Sequence, residues 1–258
     1  MPKFDANISM MFNEVDFLDR FELAAKAGFS GVEFLSPYEY EVDEILDRLQ
    51  QNNLSQILHN LPVGNFSAGE RGIACLPDRV DEFKSSVDET VKYATKLGAP
   101  QVNCLSGIKP ENVSDDLAEE TLINNLKYAA PILEEAGVKL IVESINTIDM
   151  PGFFLTNTSQ ALSLVEKVDH PNLFIQYDIY HMQIMEGDLA RTIENNLGMI
   201  SHMQLADNPG RHEPGTGEIN YKYLLPFIDE IGYDGWIGCE YIPLKNTLEG
   251  LDWIKDFN

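Results

Sequence analysis

The chain has 258 residues, 44% hydrophobic and 23% charged, which is enough to bury one large barrel core or two smaller ones. Its 42 acidic against 18 basic side chains leave a formal net charge of −24, which repels nucleic acid and anionic lipid, so neither is expected as a partner. The low, odd cysteine count of 3 (Cys75, Cys104 and Cys239) shows no paired spacing and points to a reducing compartment with small buried thiols.

Short strand-like runs recur along the chain at 4–9, 31–35, 54–60, 101–105, 139–143, 173–178, 200–206 and 236–240. Helical patterns separate them. Phe17, Phe21, Ala24 and Ala25 share one face, and Gly28 stops that helix. Ile45, Leu46 and Leu49 mark a second helix. A third is expected over 81–97 before Gly98, and a fourth over 115–135 before Gly137. The fifth follows Thr156 and Thr158, and the sixth begins near Asp188. The seventh covers 221–231 before Gly232, and the eighth covers 247–256.

Eight strand/helix alternations at this length imply an α/β protein with a closed (β/α)8 TIM-barrel fold. An open doubly wound sheet usually carries a Gly-rich turn after its first strand, and here that turn reads Met10-Met11-Phe12-Asn13-Glu14. No linker or low-complexity block divides the chain, so one domain over 1–258 is expected. The first residues show no basic-then-apolar leader, and no apolar run is long enough to span a bilayer; a cytoplasmic location is the expectation.

Glu143, Asp178, Gln204 and Glu240 are each read as the last residue of a separate late strand. Strand ends converge on one face of an alternating barrel, where such enzymes keep their chemistry. If Glu240 points inward, alternation turns Gly238 and Trp236 inward with it, and likewise Ile141 with Glu143 and Gln176 with Asp178. Three inward carboxylates repel one another without a counter-ion. Four oxygen donors favour a hard divalent cation, Mg²⁺ or Mn²⁺, over Zn²⁺.

The segments Val142-Glu143-Ser144-Ile145-Asn146, Gln176-Tyr177-Asp178-Ile179-Tyr180-His181-Met182-Gln183, His202-Met203-Gln204-Leu205-Ala206-Asp207 and Glu213-Pro214-Gly215-Thr216-Gly217-Glu218-Ile219 resemble those of the hydroxypyruvate isomerase family. So do His59-Asn60-Leu61-Pro62 and Ala68-Gly69-Glu70-Arg71-Gly72-Ile73-Ala74. That family lies in the barrel superfamily of sugar isomerases and epimerases related to endonuclease IV, and the resemblance covers essentially the whole chain. It implies a metal held by Glu143, Asp178, Gln204 and Glu240, with Glu143 and Glu240 as the catalytic proton-transferring pair. Many epimerases of the superfamily carry histidine where Gln204 stands; the amide makes the set all-oxygen and leans it toward Mg²⁺. The implied activity is aldose–ketose isomerisation of a small hydroxy-keto acid. A similar branch acts on 2-oxo-tetronates, and the quoted motifs do not separate the two.

Five residues are candidates for substrate binding. His181 follows Asp178 by three positions and can polarise a substrate oxygen. Arg211, after the seventh strand, can neutralise a carboxylate. His59 is read as ending the third strand and facing the pocket. Arg71 is either a carboxylate anchor or half of an internal pair with Glu70. His202 points inward one layer below Gln204, while His170 and His212 read as surface residues. Pro214-Gly215-Thr216-Gly217 reads as a tight loop shaping the pocket wall rather than a phosphate cradle, since no lysine follows it. Phe12, Phe66, Phe153, Phe154 and Trp236 read mainly as core, some of them as a lid that keeps water from the enediolate. Rival readings are a sugar epimerase or inosose dehydratase-type lyase, an endonuclease IV-type phosphodiesterase, and a non-catalytic sugar-acid binder. The sequence sets no oligomeric state.

Overall fold

A computed structural model describes residues 2–257. Its strands are β1 (Lys3–Asn7), β2 (Gly31–Glu33), β3 (Ser55–Asn60), β4 (Gln101–Cys104), β5 (Lys139–Glu143), β6 (Leu173–Asp178), β7 (Ile200–Leu205) and β8 (Trp236–Cys239). They close in the order β1-β2-β3-β4-β5-β6-β7-β8, as expected for a (β/α)8 barrel. The helices are α1 (Phe17–Lys26), α2 (Val42–Gln51), α3 (Val80–Leu97), α4 (Asp115–Glu135), α5 (Thr158–Val168), α6 (Ile179–Met185), α7 (Leu189–Asn196) and α8 (Tyr221–Glu230). No helix among the described residues is long and apolar enough to cross a membrane.

Three expectations need correction. The last helix, Glu249–Phe257, is a 3₁₀ helix. A short helix, α6, begins directly at the end of β6, without a loop. The strands stop earlier than expected at several places: β8 ends at Cys239, so Glu240 is the first residue beyond it.

The chain divides into two compact units, Leu58–Gln176 and the segments flanking it. In the flanking unit β1 pairs with β8 and β2, and β7 pairs with β8, all in parallel. The register aligns Asp5 with Gly238, Asn7 with Glu33, and Gln204 with Gly238. One face of these strands is therefore polar. The alternate positions, Ala6, Val32, Met203, Leu205, Ile237 and Cys239, are all fully buried. Phe17, Phe21 and Phe34 form an edge-to-face cluster, and Tyr40 stacks on Phe17. Full burial of side chains such as Phe21 and Phe34 contributes about 1.5–3 kcal/mol each.

In Leu58–Gln176, β3 to β6 run in register Leu58–Gln101–Lys139 and Asn60–Asn103–Ile141. His59 aligns with Val102, and Val102 with Leu140. Val102, Leu140 and Val142 make the apolar face, and Asn103, Ile141 and Glu143 share the other. Helices α3 and α4 contribute Phe83, Val87, Leu122, Leu126 and Ala129 to the buried core of this unit.

Candidate active site

Asp178 ends β6 and is also the N-cap of α6. Its Oδ1 accepts from the amides of Tyr180 at 2.8 Å and His181 at 3.3 Å. Capping satisfies two otherwise orphaned helix donors. It also leaves Oδ2 buried with no hydrogen-bond partner. An unsatisfied buried acceptor costs roughly 1–3 kcal/mol, so this oxygen is presented for a ligand. His181 Nε2 stands 3.5 Å from it, and Arg211 Nη2 stands 3.9 Å from it.

Glu240 follows β8. Its Oε2 accepts from Arg211 Nη2 at 2.5 Å, and its Oε1 accepts from Asn7 Nδ2 at 3.1 Å. Burial pushes its carboxyl up to about 8, against the opposing charge of Arg211. The Arg211 guanidinium also lies over the Tyr180 ring, 5.1 Å from its centroid. Arg211 has φ of 54°, a left-handed backbone that a side chain such as arginine seldom adopts. Asp178, His181 and Glu240 each offer a ligand atom, all within 4.8 Å of one another. Two carboxylates and an imidazole at that spacing fit a divalent cation. Gln204 on β7 adds an amide, whose Nε2 donates to Glu33 Oε1 at 2.7 Å.

The loop that carries Arg211 is built around Asp207. This buried carboxylate accepts from the amides of Gly215 at 2.8 Å, Gly217 at 2.9 Å and Ile219 at 3.0 Å. The Gly-rich turn thus spends its amides on Asp207 rather than on a phosphate, as its lack of a lysine suggested. Gly217 packs against the backbone of Asn208, where a Cβ has no room.

In the other unit Glu143 ends β5, is buried, and accepts from Asn103 Nδ2 at 2.8 Å. Glu143 aligns with Gln176, and Asp178 is two residues further along the same strand. Glu143 and Gln176 therefore fall on one face.

The xylose isomerase-like TIM barrel family model matches residues 21–257. The chain is 51% identical to hydroxypyruvate isomerase of Escherichia coli, over 100% of both chains. The chain belongs to the hydroxypyruvate isomerase family of these barrels. It is also 44% identical to a 2-oxo-tetronate isomerase of Cupriavidus necator, over 100% of this chain and 99% of that one. A crystal structure from Brucella melitensis, described as an AP endonuclease of family 2, superposes with a TM-score of 0.97 at 48% identity, covering 100% of each chain.

As a member of this family the chain departs from the sequence reading in two places. His59 shares its strand face with Val102, opposite to that of Asn103 and Glu143, so it does not point with them. Burial lowers its imidazole to about 3. The internal pair in the β3–α3 loop is Glu70 with Arg79, at 2.6 Å, not Glu70 with Arg71. Arg71 instead donates to the backbone oxygens of Phe66 and Glu70 and lies 3.8 Å over the half-exposed Phe66 ring. Phe12 and Phe153 are core as expected. All three cysteines are free and buried, and burial pushes Cys75 and Cys104 up to about 12.

The sequence reading did not single out Asn7, Glu33, Asn103 or Asp207. Each is a buried polar residue in or just after a strand. Their only signal was a polar residue at an in-phase position of a strand that otherwise reads as apolar.

Proposed function

We propose that this chain, acting as a single barrel domain, isomerises hydroxypyruvate to tartronate semialdehyde. The observation that carries the reading is full-length identity of 51% to an enzyme of that name. In this reaction a proton leaves the hydroxymethyl carbon, the carbonyl moves one carbon along through an enediolate, and a proton is added at the former keto carbon. Glu143 and Glu240 are proposed as the pair that removes and returns the proton. Asp178, His181 and Glu240 are buried and close enough together to hold a metal ion.

The proposed metal ligands are Glu143, Asp178, Gln204 and Glu240, with Mg²⁺ or Mn²⁺ as the metal. When bound, such an ion supplies Lewis-acid stabilisation of negative charge on the substrate oxygens. His181 beside Asp178 adds a nitrogen donor, which raises the claim of Mn²⁺ relative to an all-oxygen set. Arg211 is proposed to neutralise the substrate carboxylate, with His181 polarising a substrate oxygen. Arg71 and Glu70 belong to a long loop after β3, and their proposed role is to shape access; His59 supports the strand from its apolar face.

A second reading, 2-oxo-tetronate isomerisation, is favoured by the 44% identity to the Cupriavidus necator enzyme. Net charge of −24 disfavours a DNA substrate. The proposed setting is the cytoplasm. The test is turnover by metal-stripped protein with hydroxypyruvate and a 2-oxo-tetronate side by side, before and after adding Mg²⁺ or Mn²⁺. Metal-restored conversion of hydroxypyruvate at the higher rate supports the first reading. Preference for the tetronate supports the second, and turnover of neither acid refutes both.

A further inference from the structure

Glu33, the last residue of β2, is the hub of a buried polar network beside Glu240 and Gln204. Its Oε1 accepts from Asn7 Nδ2 at 2.9 Å and from Gln204 Nε2 at 2.7 Å, and its Oε2 lies 2.7 Å from His202 Nε2. The strand opposite leaves space for it. A Cβ on Gly238 would stand 2.5 Å from both Glu33 carboxylate oxygens, so only glycine at this position lets the carboxylate lie across β8.

The hydrogen-bonding chemistry then dictates how two neighbours are turned. A carboxylate accepts and does not donate, so Gln204 must face Glu33 with its amide nitrogen. Its amide oxygen is therefore directed away from Glu33. Asn7 is turned from the other side as well. Its Oδ1 accepts from the Ser9 amide at 3.1 Å, which points Nδ2 at the two carboxylates. The two hydrogens of Nδ2 go to Glu33 at 2.9 Å and to Glu240 at 3.1 Å. One buried carboxylate thus selects the amide orientation of Gln204 directly and ties Glu240 down through Asn7.

We propose that Glu33 is a positioning residue that, through Gln204 and Asn7, orients the amide oxygen and the Glu240 carboxylate toward a divalent cation. This rests on the cation reading given above. Partners behind metal ligands typically tune affinity by roughly 10- to 100-fold.

The test is calorimetric titration of the metal-stripped full chain with Mg²⁺ and with Mn²⁺, alongside the melting temperature. The wild-type chain should bind one ion. Glu33→Ala removes the oxygen to which Gln204 and Asn7 both donate, and should weaken binding by roughly 10- to 100-fold while the protein remains folded. Asn7→Ala, which removes the ties of Asn7 to Glu240, Glu33 and the Ser9 amide but leaves Gln204 on Glu33, should weaken it by a smaller factor, and it decides the matter if Glu33→Ala does not fold. Wild-type affinity in a folded variant, with only the melting temperature lowered, overturns the positioning role and leaves the cation reading standing. No cation binding by the wild-type chain overturns both.

Discussion

Arg211 donates from Nη2 to Glu240 Oε2 at 2.5 Å, giving a buried carboxylate its nearest positive charge. Burial drives the Glu240 carboxyl up to about 8, and the guanidinium opposes that drive. Arg211→Gln should therefore push Glu240 above about 8 in the metal-free protein, since the largest lowering influence is removed. Infrared titration of the carboxyl band between neutral and alkaline pH would show it. A band that titrates unchanged, or at lower pH, contradicts the pairing.

Glu143 and Glu240 are each expected to be needed for turnover. Glu143→Gln keeps an acceptor for the Asn103 amide, so the fold should persist. Loss of general acid or base action costs on the order of 10² to 10⁴ in rate, and a fall of that size in kcat is expected for each single variant. Steady-state kinetics on hydroxypyruvate, with circular dichroism as the folding control, provides the check. Near-normal kcat in either variant removes the two-glutamate mechanism.

Asp178 divides its work between two oxygens, and Asp178→Asn separates them. Asparagine is as good an N-cap as aspartate, so α6 should survive through an acceptor at the Oδ1 position. The charge at Oδ2 is lost. Cation affinity should fall by more than tenfold with little change in melting temperature. Equal affinities by calorimetry would show that Asp178 caps a helix and does nothing more.

His59 predicts an acid limb in the stability profile. Burial lowers its folded value from 6.5 to about 3, so the unfolded chain binds a proton that the native one refuses. Its contribution to stability is intact above pH 6.5 and is lost as pH falls from 6.5 toward 3, at up to about 1.4 kcal/mol per pH unit. Urea denaturation across that range should give a steeper decline for the wild-type chain than for a folded His59→Asn variant. Parallel slopes would mean that His59 does not resist protonation in the native state.

The gaps in the sequence reading have specific causes. A strand end misjudged by one residue reverses the face of every side chain counted from it. His59 was counted as pocket-facing although the strand run reaches Asn60; the register with Val102 turns it the other way. Helix α6 escaped notice because Asp178 serves at once as strand end and helix cap, leaving no loop residues to announce a new element. Arg79 was passed over as the partner of Glu70 because the two are nine residues apart, across an irregular loop.

The eight-fold alternation and the glycine stops at Gly28, Gly98, Gly137 and Gly232 were legible because periodicity and helix termination are written in adjacent residues. Partnership across the sheet is not local. Glu33, Asn7, Gln204 and Glu240 lie far apart in the chain and meet only because β1 pairs with both β2 and β8 while β7 pairs with β8. A single glutamate in Gly31-Val32-Glu33-Phe34-Leu35 looks like any other acidic residue of this acidic chain. Closure of the sheet over Gly238 is what buries its carboxyl group, and burial is what obliges Asn7 and Gln204 to turn their donors toward it.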